Sequence, residues 1–202
     1  MHAYRSQLDI PPLILDAQAL AKHMSFENSC SVEVGCLLRL LASHVLAGAV
    51  GEIGTGCGVG AAWIVSGLMA SSRFVTIDSD AHCTHAVREL LHRAPNTRII
   101  HGDWRDILVE GPFDLLFIDA GPAKAAPGNG ETGPGGTDDI LQAVQIGGMI
   151  VMDDFTPEQQ WPEAWRDRSD PLRDYWLNEE RLHATEILTT PTTSVILATR
   201  IT

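Results

Sequence analysis

The stretch Glu52-Ile-Gly-Thr-Gly-Cys-Gly-Val-Gly60 limits the folds open to this chain more than any other segment. It follows an apolar run, Val45 to Val50, and precedes an apolar segment, residues 61–68, with the composition of a helix. A strand that ends in an acidic residue and runs into alternating glycines lets the backbone pass close beneath a ligand, because side chains there would fill the space that a nucleoside needs. The sequence therefore predicts a nucleoside-cofactor site at the edge of a parallel sheet.

Three interpretations of this loop compete. The dinucleotide fingerprint G-x-G-x-x-G fails from Gly54, since Val59 stands where the third glycine belongs, and from Gly56 it survives only with Ala61 as its last member. A tight strand-to-helix turn that binds nothing is the second interpretation. The order that is present, an acidic residue followed by Gly54, Gly56 and Gly58, resembles motif I of the class I S-adenosylmethionine-dependent methyltransferases.

Composition and charge restrict the partners of the chain. Its 202 residues are 45% hydrophobic and 20% charged, which suits one globular domain with a substantial core. A net charge of −12 repels nucleic acid and anionic membranes, whereas it favours binding of a cationic ligand such as a sulfonium. We therefore expect a small-molecule substrate, and neither nucleic acid nor membrane as a partner.

Other features of the sequence predict a cytoplasmic protein with reduced cysteines. The first eight residues lack the apolar core of a signal peptide, and the most apolar stretch, residues 37–50, is too short and too polar to span a bilayer. Cys30, Cys36, Cys57 and Cys83 form no C-x-x-C pair. Packed free thiols are therefore expected rather than a disulfide or thiolate–metal framework.

Strand and helix patterns alternate along most of the chain. After a helix at about residues 12–25, Ser31 and the apolar spacing that follows it predict a capped amphipathic helix. Five strands are then predicted, at Ala49–Gly54, Arg73–Asp78, Arg98–His101, Phe113–Asp119 and Met149–Asp153. The helices between them are predicted at Gly60–Met69, Ala81–Arg93 and Asp138–Val144. This alternation predicts parallel βαβ units in a doubly wound α/β sheet.

The C-terminal part has a different pattern. Two strands at about residues 182–189 and 194–201 are joined by a short turn at Pro191, which predicts a hairpin. A mostly parallel sheet closed by an antiparallel hairpin matches the seven-stranded, Rossmann-like methyltransferase fold. We expect one domain, residues 1–202, with N-terminal helices in 1–47 and the cofactor-binding sheet and substrate loops in 48–202.

One segment interrupts the compact pattern. Gly121 to Thr137 carries six glycines and three prolines in 17 residues, and this composition by itself indicates a flexible connection. The segment follows a predicted strand end, which is where such sheets bind ligands. We therefore expect a mobile loop beside the active site.

Acidic residues follow the predicted strands. Asp78 ends the second strand, where a carboxylate accepts from both ribose hydroxyls of a nucleoside, and Asp80 is the better candidate for capping the next helix. In the resembled fold, an acidic residue after the third strand accepts from the adenine amino group and its neighbour packs against the ring. Asp103 and Trp104 supply that acceptor and that π-face. A turn cap by Asp103 and simple core packing of Trp104 are the competing interpretations.

Three further aspartates end the fourth and fifth predicted strands, namely Asp119, Asp153 and Asp154. Carboxylates within about 4 Å repel by roughly 4 kcal/mol per pair at an effective dielectric constant of about 20. A hard divalent cation with oxygen ligands would offset that repulsion. In the alternative interpretation, Asp119 orients the methionine ammonium of the cofactor while the other two cap the following loop.

Three motifs together resemble the catechol and caffeoyl-coenzyme A O-methyltransferase family over roughly Asn28 to Phe155. They are Glu52-Ile-Gly-Thr-Gly, Phe117-Ile-Asp-Ala120 and Gly147-Gly-Met-Ile-Val-Met-Asp-Asp154. The resemblance implies methyl transfer from S-adenosylmethionine to a small hydroxylated molecule, with Mg²⁺ held by Asp119, Asp153 and Asp154. The implied cofactor contacts are Cys30 (through its backbone), Glu52, Gly54, Thr55, Gly56, Gly58, Gly60, Asp78, Asp103, Trp104 and Asp119.

The chain departs from that family in two places. Asp154 replaces the usual Asn, as in the macrocin-type sugar O-methyltransferases, which this chain resembles in its Asp-Asp pair. The family's lysine stands two positions later, at Lys124, so a catalytic role beside Asp119 as general base competes with an ordinary solvated lysine. Two alternatives stay open, a metal-independent N- or O-methyltransferase in which Asp153 and Asp154 contact the substrate, and a nucleotide-binding oxidoreductase.

Histidine and tryptophan clusters have simpler explanations. His82, His85 and His92 fall on the helix after the second strand, away from the strand ends, and are predicted to lie on a partly solvated helix face. For the second cluster, Trp161, Trp165 and Trp176, core or homodimer packing is predicted, and a wall for an aromatic acceptor is the alternative.

Overall fold

The computed structural model describes residues 9–124, 137–165 and 168–202. Its strands are β1 (Ala49–Ile53), β2 (Arg73–Asp78), β3 (Thr97–His101), β4 (Phe113–Ile118), β5 (Val144–Phe155), β6 (Leu182–Leu188) and β7 (Ser194–Arg200). Its α-helices are α1 (Pro12–His23), α2 (Val32–His44), α3 (Val59–Gly67), α4 (Ala81–Leu90), α5 (Gly121–Lys124), α6 (Thr137–Gln142) and α7 (Pro171–Asn178). Short 3₁₀ helices span Trp104–Glu110, Glu158–Gln160 and Glu163–Trp165.

All seven strands form one sheet in the order β3-β2-β1-β4-β5-β7-β6. Strands β1 to β5 pair in parallel, and β7 lies antiparallel between β5 and β6. The strand order reverses direction beside β1, between β1 and β4, which is where open sheets of this kind bind ligands. The predicted doubly wound sheet with a C-terminal antiparallel hairpin is confirmed.

Helices cover both faces of the sheet, so β1 is buried at all of its positions, as expected of a central parallel strand. On one face, α2, α3 and α4 contribute to a cluster that includes Leu38 and Ile64. On the other face, the cluster includes Ile140 of α6 and Trp176 of α7, both fully buried. The two layers hold the strand ends rigidly, and the candidate site lies at those ends.

Local signals set most helix starts. The Ser31 side chain accepts from the Val34 amide at 3.2 Å and begins α2, as predicted. Asp80 begins α4 by accepting from the amides of His82 and Cys83 at 2.7 and 3.1 Å. Most predicted boundaries differ from the observed ones by one to three residues, and the largest difference is in β5, which begins at Val144 rather than Met149. Val144 pairs with Phe113 before a register shift in the ladder, a tertiary contact that a local pattern does not show.

Two further predictions concern the membrane and the glycine-rich segment. Within residues 9–124, 137–165 and 168–202, every helix is too short or too polar to cross a bilayer. The first four residues of the glycine-rich segment form α5, and its last residue, Thr137, begins α6. The mobile loop predicted between them lies at residues 125–136, outside the described residues.

Candidate functional site

The glycine loop and the carboxyl ends of the neighbouring strands enclose a cavity of about 250 Å³. Its lining residues are Phe26, Asn28, Ser29, Cys30, Glu52, Gly54, Thr55, Gly56, Cys57, Val59, Gly60, Asp78, Asp119 and Asp154. The structure therefore brings together eight of the residues predicted to contact a cofactor. Gly58 is not among them, because it begins α3 and packs towards Val87.

The glycine loop passes closely against the end of β4. Gly54 has a φ of +96°, and a Cβ there would lie 2.9 Å from the backbone oxygen of Asp119. The Gly54 amide donates to the Ile77 carbonyl at 2.9 Å, and the Asp119 amide donates to the Ile53 carbonyl at 2.8 Å. These bonds tie the loop to the ends of β2 and β4. Only glycine meets both the left-handed backbone and the close contact.

Asp78 is fixed beneath this loop. One carboxylate oxygen accepts from the Gly56 amide at 2.8 Å and the other accepts from the Asp80 amide at 2.9 Å. The prediction that Asp80, and not Asp78, caps α4 is confirmed. Asp78 lines the cavity with its carboxylate oriented by backbone amides. Its contact with a ribose stays a prediction.

Glu52 makes the floor of the cavity electronegative. One of its oxygens accepts from the Thr76 hydroxyl at 2.6 Å, and that hydroxyl lies 2.5 Å from the Thr55 hydroxyl. The other oxygen lies where a Cβ on Gly60 would come within 2.4 Å of it. Burial raises the pKa of Glu52 well above its usual range, and the nearby charge of Asp119 adds to the shift. A cationic group bound beside Glu52 would therefore stabilise its ionised form.

A second cavity, of about 330 Å³, adjoins the first and shares Gly54 and Asp78 with it. Asp103 and Trp104 both line it. Trp104 is buried, and its indole N–H has no partner among the described residues. Asp103 caps the 3₁₀ helix by accepting from the Arg105 amide at 3.0 Å, as the competing interpretation held. The guanidinium of Arg105, which the sequence did not single out, lies 4.6 Å from the centre of the Trp104 ring.

The three aspartates at the ends of β4 and β5 converge. Asp119, Asp153 and Asp154 each offer a carboxylate oxygen, and these oxygens lie within 4.8 Å of one another. The Asp153 carboxylate is buried and accepts from the Asp154 amide at 2.8 Å. Asp154 is exposed and has a φ of +66°. Three hard oxygen donors at one point fit a divalent cation such as Mg²⁺.

Burial also changes the acidity of this cluster. It raises the pKa of Asp119 to about 8, with the charge of Asp154 as the next cause. Burial likewise raises the pKa of Asp153 to about 6. Both groups are thus unfavourable as carboxylates unless a positive charge joins them. The repulsion anticipated from the sequence is therefore present in the fold.

Lys124 reaches the aspartate cluster from the end of α5. Its side chain is buried, and its amino group donates to the Asp153 carbonyl at 2.6 Å and lies 3.9 Å from an Asp154 carboxylate oxygen. The indole of Trp176 holds α5 in place by donating to the Lys124 carbonyl at 3.1 Å. The alternative of an ordinary solvated lysine is therefore wrong.

A third cavity, of about 350 Å³, lies beside the aspartates and Lys124. Trp161 and Trp165 line it, whereas Trp176 is fully buried in the core. Core packing is thus confirmed for Trp176, and the alternative of a cavity wall describes Trp161 and Trp165. The three histidines of the other cluster, His82, His85 and His92, are all exposed, as predicted, and line none of these cavities. His92, however, lies past the end of α4 rather than on it.

Some lining residues could not be found from the sequence. Phe26 precedes the glycine loop by more than twenty residues and carries no motif, whereas Asn28 and Ser29 begin the stretch that resembles the methyltransferase family but were not predicted as cofactor contacts. The end of α1 and the start of α2 bring this segment over the cavity, since Cys57 of the glycine loop contacts the Met24 sulfur at 3.6 Å. The position of this segment over the cavity depends on the packing between helices.

In metal-free protein, the free energy of unfolding is expected to fall as the pH rises from about 4 to about 8. The unfolded chain releases the Asp119 proton near its ordinary pKa of 3.8, whereas the folded chain retains it until about 8. The contribution of Asp119 to the free energy of unfolding is therefore fully present below the pKa of the unfolded chain, and it is lost as the pH rises through the pKa of the folded chain. Urea unfolding with a chelator across this range measures the fall. Saturating Mg²⁺, or Asp119→Asn, should flatten the profile, and a chelated protein that gains stability with pH would contradict it.

Comparison with known proteins agrees with this geometry. A family model described as a methyltransferase domain matches residues 52–155. A Mycolicibacterium vanbaalenii protein is 36% identical over 103 residues, which are 48% of this chain and 46% of that protein. A Mycobacterium tuberculosis protein is 32% identical over 126 residues, which are 59% of this chain and 53% of that protein. Both are provisionally named as O-methyltransferases. The chain spans about half the length of the curated relatives it matches.

Solved structures share the whole fold. An O-methyltransferase from Bacillus cereus, in complex with SAH, superimposes with a TM-score of 0.77 at 22% identity and covers 98% of this chain and 96% of its own. The O-methyltransferase TomG from Streptomyces achromogenes, involved in tomaymycin synthesis and solved with SAM, gives 0.76 at 21% identity and covers 99% and 95%. At these identities the likeness establishes the fold, and it confirms the architecture predicted from the sequence.

Proposed function

Because this chain belongs to the methyltransferase-domain family, we propose that it transfers a methyl group from S-adenosylmethionine to a hydroxyl oxygen of a small molecule, assisted by a divalent cation. The observation that carries the proposal is the meeting of three features at one sheet edge. These are a glycine-lined cavity, a cluster of three carboxylates and a cavity walled by tryptophan. A donor, a cation and an acceptor each have a compartment there.

The first two cavities suit the cofactor. Their volumes, about 250 and 330 Å³ with shared walls, fall in the range of small-molecule sites when taken together. Glu52 and Asp119 are buried acids whose ionised forms need a nearby positive charge, and the sulfonium and ammonium groups of S-adenosylmethionine would supply it in the first cavity. Asp78 beneath the loop suits the ribose, and Trp104 in the second cavity suits the adenine ring.

The aspartate cluster suits a cation that also binds the acceptor. Asp119, Asp153 and Asp154 would hold it, and when bound it would lower the pKa of the acceptor hydroxyl and orient that oxygen. Asp119 lines the first cavity and Asp153 lines the third, while Asp154 lines both. The cluster therefore stands between the donor and acceptor compartments. That position is what in-line transfer requires.

The chain itself has little covalent work to do. The sulfur–methyl bond breaks as the oxygen–methyl bond forms, the sulfonium becomes a neutral thioether, and the hydroxyl proton leaves to a base. Holding the three atoms in line supplies about 7–11 kcal/mol of the barrier. Lys124, buried beside the cluster, is the proposed proton acceptor, and it takes this proton as the neutral amine and becomes the ammonium.

Calorimetry with S-adenosylmethionine, its demethylated product and NADH tests the cofactor. We expect binding of the first two and none of NADH, and the reverse result would restore the oxidoreductase alternative. A methylation screen over hydroxylated aromatics, with Mg²⁺ or with a chelator, then tests the reaction. Methyl transfer that requires the divalent ion is the expected outcome.

One observation favours a second candidate, methyl transfer without a metal. The Lys124 ammonium lies 3.9 Å from an Asp154 oxygen and supplies a positive charge to the cluster without any ion. In that case Asp153 and Asp154 would contact the acceptor directly. Full activity in excess chelator would favour this candidate over the metal-assisted one.

Replacing Lys124 by methionine is expected to lower kcat by about 100-fold with a smaller change in KM, because it removes the proposed base and keeps the side-chain length. The rate of the variant should then rise with pH as the acceptor hydroxyl ionises by itself. Initial-rate measurements across pH show both effects. Lys22→Met is the matched control, since Lys22 is the other lysine of the chain and is exposed on α1. A variant with normal kcat and an unchanged pH profile would remove Lys124 from the mechanism.

A further inference from the structure

The third cavity has an aromatic wall that the fold holds in place. The indole N–H of Trp161 donates to the Thr156 carbonyl at 2.9 Å, and the guanidinium of Arg173 donates to the same carbonyl at 2.6 Å. Arg173 also lies 5.1 Å from the centre of the Trp161 ring. Trp165 adds a second indole to the lining. A planar acceptor would find an aromatic surface, fixed in place at Trp161, beside the aspartate cluster.

The two arginines near this wall differ in their partners. Arg173 is buried and neutralised, because it forms ion pairs with Glu186 at 3.0 Å and Asp170 at 3.6 Å. Arg168 lines the cavity and is exposed. Among the residues that the structure describes, it has no carboxylate within 4 Å. Its positive charge is therefore available to a ligand.

The remaining charges of the cavity are already engaged. Lys124 donates to the Asp153 carbonyl, and Asp170 accepts from the first amides of α7 and pairs with Arg173. The cavity thus joins an acidic end, where the hydroxyl reacts, to a guanidinium that has no carboxylate partner among the described residues. An acceptor with a negative group distant from its hydroxyl matches that pattern of charge.

We propose that this cavity selects a planar acceptor that carries an acidic group, such as an aromatic carboxylate, and that Arg168 binds this group. The inference rests on the proposed function only for the identity of the reacting hydroxyl. Arg168 is a specificity-determining residue in this scheme, and the tryptophans bind the ring. A guanidinium suits the role because its planar donors match the two oxygens of a carboxylate.

A matched pair of acceptors tests the proposal, namely 3,4-dihydroxybenzoate and 3,4-dihydroxybenzamide, which differ in charge and barely in shape. We expect the wild-type chain to prefer the benzoate by about tenfold in kcat/KM. Arg168→Gln should abolish that preference through KM and leave the amide within about twofold. Arg168→Lys should retain part of it. Arg39 is exposed on α2, so Arg39→Gln, which also removes one positive charge, should behave as wild type.

Equal losses for the two acceptors in Arg168→Gln, or no preference in the wild type, would overturn the proposal. Quenching of tryptophan fluorescence gives a second readout that needs no turnover. If neither acceptor is methylated, the wider methylation screen decides the proposed function, while tighter quenching by the benzoate that is lost in Arg168→Gln still supports the acceptor site. Equal quenching by the two compounds would count against it.

Discussion

Replacing Asp153 by alanine is expected to reduce methyl transfer by about 10³-fold while S-adenosylmethionine affinity changes by less than about tenfold. Asp153 lines the third cavity and belongs to the proposed metal cluster, but it does not line the glycine-loop cavity. Donor binding and chemistry should therefore separate in this variant. Transfer of a labelled methyl group measures the first effect, and calorimetry with the cofactor measures the second.

Asp154 provides a sharper comparison within the same cluster. Asp154→Asn should retain most activity, since asparagine tolerates the φ of +66° and still offers an oxygen ligand. Asp154→Ala loses both properties and should lose most of the activity. Asp16→Asn, an exposed change on α1, controls for net charge. If Asp153→Ala keeps more than about a tenth of wild-type activity and ignores chelator, the metal-assisted mechanism is wrong.

Gly54→Ala should weaken S-adenosylmethionine binding by at least about 100-fold and lower the free energy of unfolding by about 2–4 kcal/mol. The new Cβ meets a backbone φ of +96° and lies 2.9 Å from the Asp119 carbonyl oxygen. Relief of that contact must move either the glycine loop or the end of β4, and both border the cofactor cavity. Calorimetry and urea unfolding measure the two losses.

Substitutions at two other glycines separate the cost of a positive φ from the cost of the steric contact. Gly147 has a φ of +85° with no atom within 4 Å of an added Cβ, so Gly147→Ala isolates the backbone cost, about 1–2 kcal/mol. Gly121 also has open space, and its Cβ should cost less than about 0.5 kcal/mol. Neither change should affect cofactor binding. Normal cofactor affinity in Gly54→Ala would show that the loop does not border the donor site.

Several parts of the site were predictable because they depend on parallel-sheet geometry. Ile118 pairs with Met152 in the β4–β5 ladder, so the next residue on each strand, Asp119 and Asp153, must meet. The same reasoning predicted that Asp78 would lie at the glycine loop. A homodimer and a cytoplasmic location were also predicted from the sequence, and they stay predictions.

The sequence by itself determined the order of strands and helices, the glycine turn after β1 and the carboxylates at the strand ends, because each depends on a few neighbouring residues and on the short apolar runs that form buried strands. The tertiary structure alone decided that Lys124 is buried against Asp153 and that Trp161 forms a wall while Trp176 enters the core. It also decided that Arg168 lines the third cavity. These outcomes depend on how α5, α7 and the segment after β5 pack against the sheet, and such contacts join residues far apart in the chain.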